Sequence, residues 1–276
     1  MTTGIAGRAV EGASMDQADD LAAEIAARFG ADPERTLRDN LAAVEDRIAS
    51  ACARAGRPRS AVRLLPVSKT VPVEVVRLAV GIGMTTLGEN KVQEAKGKAD
   101  VLAGLGVSWS VIGHLQTNKA KAMVSFASEF QALDSLRLAV LRHESRVVTG
   151  RSLDFFVQVN TAAEDSKYGI APDEAEAFVG EFGRFPSLKP KGLMTLAILK
   201  GGPEEVRACF RRLRAVRERL QKTHPDCGIT RLSMGMTGDF EIAIEEGADV
   251  VRVGQAIFGK RPTVDGHFWP GLLPGA

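Results

Sequence analysis

From residue 62 onward, eight short apolar runs alternate with helical runs, and no other feature constrains the fold as strongly. The β-rich runs fall at 62–68, 85–88, 109–112, 130–133, 153–159, 188–196, 230–234 and 250–253. The stretches between them place apolar residues three and four apart, as on one helix face. The longest carries Val206, Phe210, Leu213, Val216 and Leu220 in that register. Consecutive β-α units imply a parallel sheet with right-handed crossovers. Eight of them predict a single closed (β/α)8 barrel of the TIM type. An open doubly wound sheet is the alternative, and it would carry G-x-G-x-x-G after its first strand. The first βα turn reads Val67-Ser68-Lys69-Thr70 instead.

An extra N-terminal helix is expected before the first strand. Leu37, Leu41, Val44, Ile48 and Cys52 share one face, and Gly56 and Pro58 end it. No helix-length segment follows the eighth strand, so this helix is expected to fill the place of the eighth outer helix. Residues 1–33 read as a mobile extension without chemistry, 34–262 as the barrel and 263–276 as a short irregular tail. A length of 276 residues suits this division, because one α/β barrel takes about 250.

Composition narrows the function. Hydrophobic residues make up 45% and charged residues 25%, which excludes a disordered or collagen-like chain. With 36 basic and 34 acidic residues the net charge is +2, so neither nucleic acid nor an anionic membrane is an expected partner. The basic run from Arg207 to Arg219 reads as the solvated face of its helix. Cys52, Cys209 and Cys227 form no C-x-x-C, which points to reduced thiols and a cytoplasmic protein. No apolar run is long enough to span a bilayer, and no signal or transit peptide is evident. His114, His143, His224 and His267 show no metal-ligand spacing, so no metal is expected.

Barrel active sites lie at the C-terminal ends of the strands. Lys69 ends the first strand. Desolvation there lowers an amine's pKa and frees it to attack carbonyls; a snorkelling or salt-bridged lysine is the competing reading. The seventh strand runs into Ser233-Met234-Gly235-Met236-Thr237-Gly238, which offers hydroxyls and freed amides to a phosphate, and Gly254-Gln255 follows the eighth. Arg252 alternates with Val251 and Val253, so it points into the barrel mouth, where a structural ion pair is the other reading. An amine, a phosphate site and an arginine together suggest pyridoxal 5'-phosphate (PLP). His114, at the end of the third strand, is a further candidate for lining the site.

The motifs Val67-Ser68-Lys69-Thr70, Gly88-Glu89-Asn90-Lys91-Val92-Gln93-Glu94 and Ile112-Gly113-His114-Leu115-Gln116-Thr117-Asn118-Lys119 occur in order. Asn160, Ser166-Lys167-Tyr168-Gly169, Gly192-Leu193-Met194, Ser233-Met234-Gly235-Met236 and the run from Val251 to Gly259 follow. On these motifs the chain resembles the pyridoxal-phosphate homeostasis protein family, whose fold is like the N-terminal domain of alanine racemase. The resemblance implies a Schiff base between PLP and Lys69, with Arg252 facing the pyridine nitrogen and Asn90 beside the cofactor. It implies a phosphate surrounded by Ser233, Thr237, Gly254 and Gln255. Met194, Met234 and Met236 are candidates for lining the site, with core packing expected for at least one. Thr237 stands where many relatives have serine and keeps the hydroxyl.

The implied role is a non-catalytic carrier that maintains vitamin B6 and amino/keto acid balance, as a monomer or weak homodimer. Apo forms of PLP enzymes are its implied transient partners. The alternative is a PLP-dependent amino-acid racemase, which needs acid-base groups on both faces of its substrate. The chain's one tyrosine, Tyr168, is the only counterpart to such a second base. A cofactor-free lysine aldolase is a third reading, disfavoured by Arg252 and Gly254.

Overall fold

Short apolar strands satisfy their backbone groups only by pairing with one another, and here they pair all the way round. The computed structural model describes residues 15–139, 153–162, 164, 168–184 and 190–260. Expectations for residues 1–14, the helix end at 140–143, the Ser166-Lys167 turn, the first residues of the sixth strand and the tail after 260 lie outside the described residues. The strands are β1 (Arg63–Pro66), β2 (Thr86–Glu89), β3 (Ser108–Val111), β4 (Glu129–Leu133), β5 (Asp154–Gln158), β6 (Gly192–Met194), β7 (Arg231–Ser233) and β8 (Val250–Val253). The helices are α1 (Met15–Phe29), α2 (Pro33–Arg54), α3 (Val73–Gly81), α4 (Val92–Val101), α5 (Ala120–Phe126), α6 (Ala175–Gly180), α7 (Pro203–Thr223), α8 (Phe240–Glu245) and α9 (Gln255–Phe258). Residues 136–139 are also helical.

The sheet order is β1-β8-β7-β6-β5-β4-β3-β2. β1 lies parallel to β8, from Arg63 opposite Val250 to Pro66 opposite Val253. The Val67–Gly88 bridge joins β1 to β2, and Ser68 N–H donates to Gly88 O at 3.0 Å. The result is the expected (β/α)8 barrel. Within the described residues β6 begins at Gly192, after Pro190, which has no N–H to give to a ladder.

α2 buries Leu37, Val44, Ile48, Ala51 and Cys52 against the barrel. Asp32 caps it by accepting from Arg35 N–H at 3.0 Å. Arg47 reaches Glu241 (2.8 Å) and Arg54 reaches Glu245 (2.9 Å), both on α8. On its other flank α2 packs against α3. It therefore fills the outer place after β8, as the topology suggested. Packing begins before the expected boundary at residue 33: Phe29 is 2% exposed, and Thr36 Oγ1 donates to its carbonyl at 2.7 Å.

α7 buries Val206, Cys209, Phe210, Leu213, Val216 and Leu220. Its arginines are not merely solvated. Arg207, Arg211 and Arg214 converge on the Glu246 carboxylate at 2.9, 3.1 and 3.0 Å, and that side chain is only 6% exposed. The charges that sequence alone assigns to solvent thus join α7 to the end of α8.

Two glycines give opposite predictions. A Cβ on Gly192 would lie 1.9 Å from Arg231 O, backbone that cannot yield without breaking the β6–β7 pair. Gly192→Ala is expected to cost more than about 3 kcal/mol in urea unfolding. Gly97, in α4, has nothing within 4 Å of its Cβ position, and Gly97→Ala is expected to stabilise by about 0.5–1 kcal/mol.

Candidate functional site

A guanidinium on the inward face of β8 must find its solvation inside the protein. Arg252 is 3% exposed. Its Nη1 donates to Ser233 Oγ on β7 (2.7 Å) and its Nη2 to Thr195 O just after β6 (2.8 Å). Ser233 Oγ donates onward to Gln131 Oε1 (2.6 Å), and Gln131 Nε2 to Glu129 Oε1 (2.6 Å). Glu129 also accepts from Ser110 Oγ (2.7 Å) and from Arg63 Nη2 (2.7 Å). A chain of hydrogen bonds thus crosses the interior from β8 to β1. Burial pulls Arg252 down to about 10, against the opposing charges of Asp239 and Glu129, so it remains a cation at neutral pH. Burial likewise raises the Asp239 carboxyl, while Met236 N–H and Arg252 work to lower it.

Above Arg252 a cavity of about 310 Å³ opens at the C-terminal ends of the strands. Its polar lining includes Lys69, Asn90, Thr237, Asp239, Arg252 and Gln255. Val67, Ile112, Leu196, Ile198, Val206 and Met236 give it apolar walls. Gly201, Gly238 and Gly254 also border it, and α9 starts at Gln255, where a first helical turn has amides without intrahelical partners. Close approaches shape the rim. A Cβ on Gly113 would lie 2.3 Å from Asn90 O, so glycine lets the third βα turn press against Asn90. Gly235 has φ +95 and turns the chain sharply beneath α8.

Lys69 sits on a seat of buried charge. Ser68 Oγ donates to Glu89 Oε1 (2.7 Å). Lys98 Nζ donates to Ser68 O (2.7 Å), Glu89 Oε1 (2.8 Å) and Glu94 Oε1 (2.7 Å). Glu94 Oε1 also accepts from Thr70 N–H (2.6 Å). Thr70 has φ 62, a left-handed conformation that costs a β-branched residue about 1–3 kcal/mol. The residues on both sides of Lys69 are therefore held from below.

Of the sequence candidates, Lys69, Asn90, Met236, Thr237, Arg252, Gly254 and Gln255 line this one cavity. Ser233 is fully buried behind Arg252, where it accepts from the guanidinium and donates to Gln131. Met194 and Met234 are buried in the core. His114 stands away from the cavity lining, with Nδ1 3.1 Å from Asp134 Oδ2 and its ring stacked on Tyr168 at 3.9 Å. Sequence reasoning missed Glu89, Glu94 and Lys98 as a unit; the four-residue spacing of Glu94 and Lys98 was its one readable trace. It also missed Gln131, Glu129 and Asp239. Among the described residues no group of side chains could hold a metal ion, and no helix is long and apolar enough to cross a membrane.

Burial pushes Glu89 from 4.5 up to about 7, although Lys98 and Ser68 work the other way. Between those values the folded chain holds a proton that the unfolded chain has lost. Stability contributed by this group therefore falls as pH rises from 4.5 to about 7. Urea unfolding across that window is expected to show the decline in the parent protein and a flatter profile in Glu89→Gln.

The alanine racemase N-terminal domain family matches residues 40–262. The protein of Aquifex aeolicus named pyridoxal phosphate homeostasis protein is 39% identical over 223 residues, 81% of this chain and 97% of its own. The protein of the same name from Escherichia coli K12 is 34% identical over 228 residues, 82% of this chain and 97% of its own. The structure of PipY from Synechococcus elongatus with PLP bound matches with a TM-score of 0.69 at 33% identity, covering 78% of this chain and 100% of PipY. Alanine racemase from Corynebacterium glutamicum, at 14% identity and a TM-score of 0.59 over 81% of this chain and 62% of its own, shares the fold. The chain belongs to the pyridoxal phosphate homeostasis protein family, whose barrel is that of the alanine racemase N-terminal domain.

Proposed function

We propose that the cavity binds PLP through a Schiff base on Lys69 and that the protein is a carrier in vitamin B6 homeostasis and amino/keto acid balance, not an enzyme with turnover. The observation that carries this reading is the placement of Lys69 and Arg252 on one cavity with the Thr237 and Gly254-Gln255 turns. The residues fit the group. The amine suits the aldehyde, the hydroxyl and turn amides suit the phosphate, and the apolar walls suit the ring. When bound, PLP supplies an electron-withdrawing ring joined to an aldehyde that condenses with amines.

Lys69 would hold the aldehyde carbon, Thr237, Gly254 and Gln255 the phosphate, and Asn90 the flank of the ring. Ser233 would act on the site through Arg252, whose orientation it holds. Arg252 would face the ring nitrogen and disfavour its protonation, which would leave the ring a weaker electron sink. Tyr168, the candidate second base of a racemase, is 57% exposed and stacked on His114. That placement supports the carrier over the racemase. Free Cys52, Cys209 and Cys227 accord with a reducing cytoplasm. Apo PLP enzymes are the recipients we infer, met by a monomer or weak homodimer.

Borohydride reduction of the PLP-loaded protein, followed by peptide mass spectrometry, is expected to place one pyridoxyl adduct on Lys69. The adduct and the visible absorbance band should be lost in Lys69→Ala; no adduct, or labelling spread over many lysines, would sink the reading. Arg252→Gln removes a charged hydrogen-bond donor worth roughly 1.5–3 kcal/mol. It is expected to weaken PLP binding roughly 10- to 100-fold in equilibrium titration.

A further inference from the structure

We propose that Arg28, in the N-terminal extension, is a positioning residue for this site. It ties the turn that carries Lys69 to the turn that carries Gln255. The inference rests on reading the cavity as a PLP site. Arg28 Nη1 donates to Thr70 O at 3.0 Å, and Arg28 Nε donates to Phe258 O at 3.0 Å. Thr70 directly follows Lys69, and Phe258 ends the short helix that begins at Gln255. One planar guanidinium therefore spans the C-terminal sides of β1 and β8, the two places where the aldehyde and the phosphate would be held. A planar fork with fixed donor directions can make such a bridge, and a single ammonium makes it poorly.

The contact falls where the backbone is under strain. Thr70 lies in the left-handed region, with its N–H held by Glu94 at 2.6 Å and its carbonyl held by Arg28. Strain of this kind persists only when the surroundings over-determine it. On the other side Gly259 has φ 73, and its Cβ position lies 3.7 Å from Arg28 Cγ and from Arg28 O. Neighbouring residues fix the strap itself. Phe29 is buried in the core, and Asn40 Nδ2 donates to Ile257 O at 3.0 Å.

Arg28 also lies outside the residues that match the family, 40–262. The Aquifex aeolicus relative is spanned to 97% of its length by 81% of this chain. The family barrel supplies Lys69, Glu94 and Gln255, and the extension adds a clamp across them. A cation in the last turn of α1 would also favour that helix's dipole, so a purely structural role makes a different prediction.

The test compares the full chain with Arg28→Gln and Arg28→Lys. One readout is the release rate of bound PLP after dilution, followed by absorbance. The other is amide hydrogen exchange without PLP. Arg28→Gln is expected to release PLP about tenfold faster, and Arg28→Lys is expected to fall between it and the parent. Without PLP, the amides of Val71, Ile257 and Phe258 in Arg28→Gln should exchange faster while those of α7 stay unchanged. Release at the parent rate would overturn the proposal. So would faster exchange spread evenly over the barrel, α7 included, which is the mark of a merely structural contact. If Arg28→Gln fails to fold, Arg28→Lys decides: release at the parent rate with unchanged exchange at Val71 overturns the proposal. A parent protein that takes up no PLP would overturn the cofactor reading itself. That is distinct from bound PLP leaving at the parent rate, which would overturn only the role of Arg28.

Discussion

A cation buried in the mouth of a parallel barrel has no water to solvate it, so the strands around it must do so. Arg252 meets this demand through Ser233 and the carbonyl of Thr195, and Ser233 leads through Gln131 to Glu129, on which Ser110 and Arg63 also converge. Removing Ser233, Gln131 or Glu129 would strand a buried donor or acceptor of its neighbour. The polar spine holds several strands in one register while the surrounding core remains apolar. It also leaves the outer side of the guanidinium on the cavity, aimed by bonds that no ligand has to supply.

The same economy governs the lysine. Lys69 borders the cavity from a turn whose flanking residues are held by Glu89, Glu94 and Lys98. Burial raises Glu89 and the nearby Glu94 charge adds to it, while the Lys98 ammonium that the two carboxyls share works the other way. The strained Thr70 gives this turn a defined direction. The β1 and β8 ends are neighbours in the barrel, so a ligand bound to both would bridge one seam of the sheet.

The barrel could be read from sequence because its cause is local. Period-two and period-3.6 apolar patterns mark strands and helices wherever they stand, and glycine and proline mark the ends. The barrel-mouth rule then placed Lys69, Thr237, Arg252, Gly254 and Gln255 in one region, and the cavity gathers them. His114 satisfies the same rule and stands outside the lining, with its ring against Asp134 and Tyr168. Ser233 satisfies it too, but its hydroxyl is spent on Arg252 and Gln131. Position along a strand tells which end a residue occupies; it does not tell whether a neighbour has already claimed its hydrogen bonds.

The amino-acid order by itself determined the number of β-α units, their parallel sense and the end of the barrel at which chemistry-bearing residues collect. It did so because periodicity, turn residues and crossover handedness act over a few residues at a time. Tertiary structure alone decided the partners of the buried charges. Arg252 and Glu129 are 123 positions apart in sequence and belong to one hydrogen-bonded chain, Arg28 reaches 230 positions to Phe258, and three arginines of α7 share Glu246. Charge pairing inside a closed barrel depends on which side chains meet across it, and only closure brings them together.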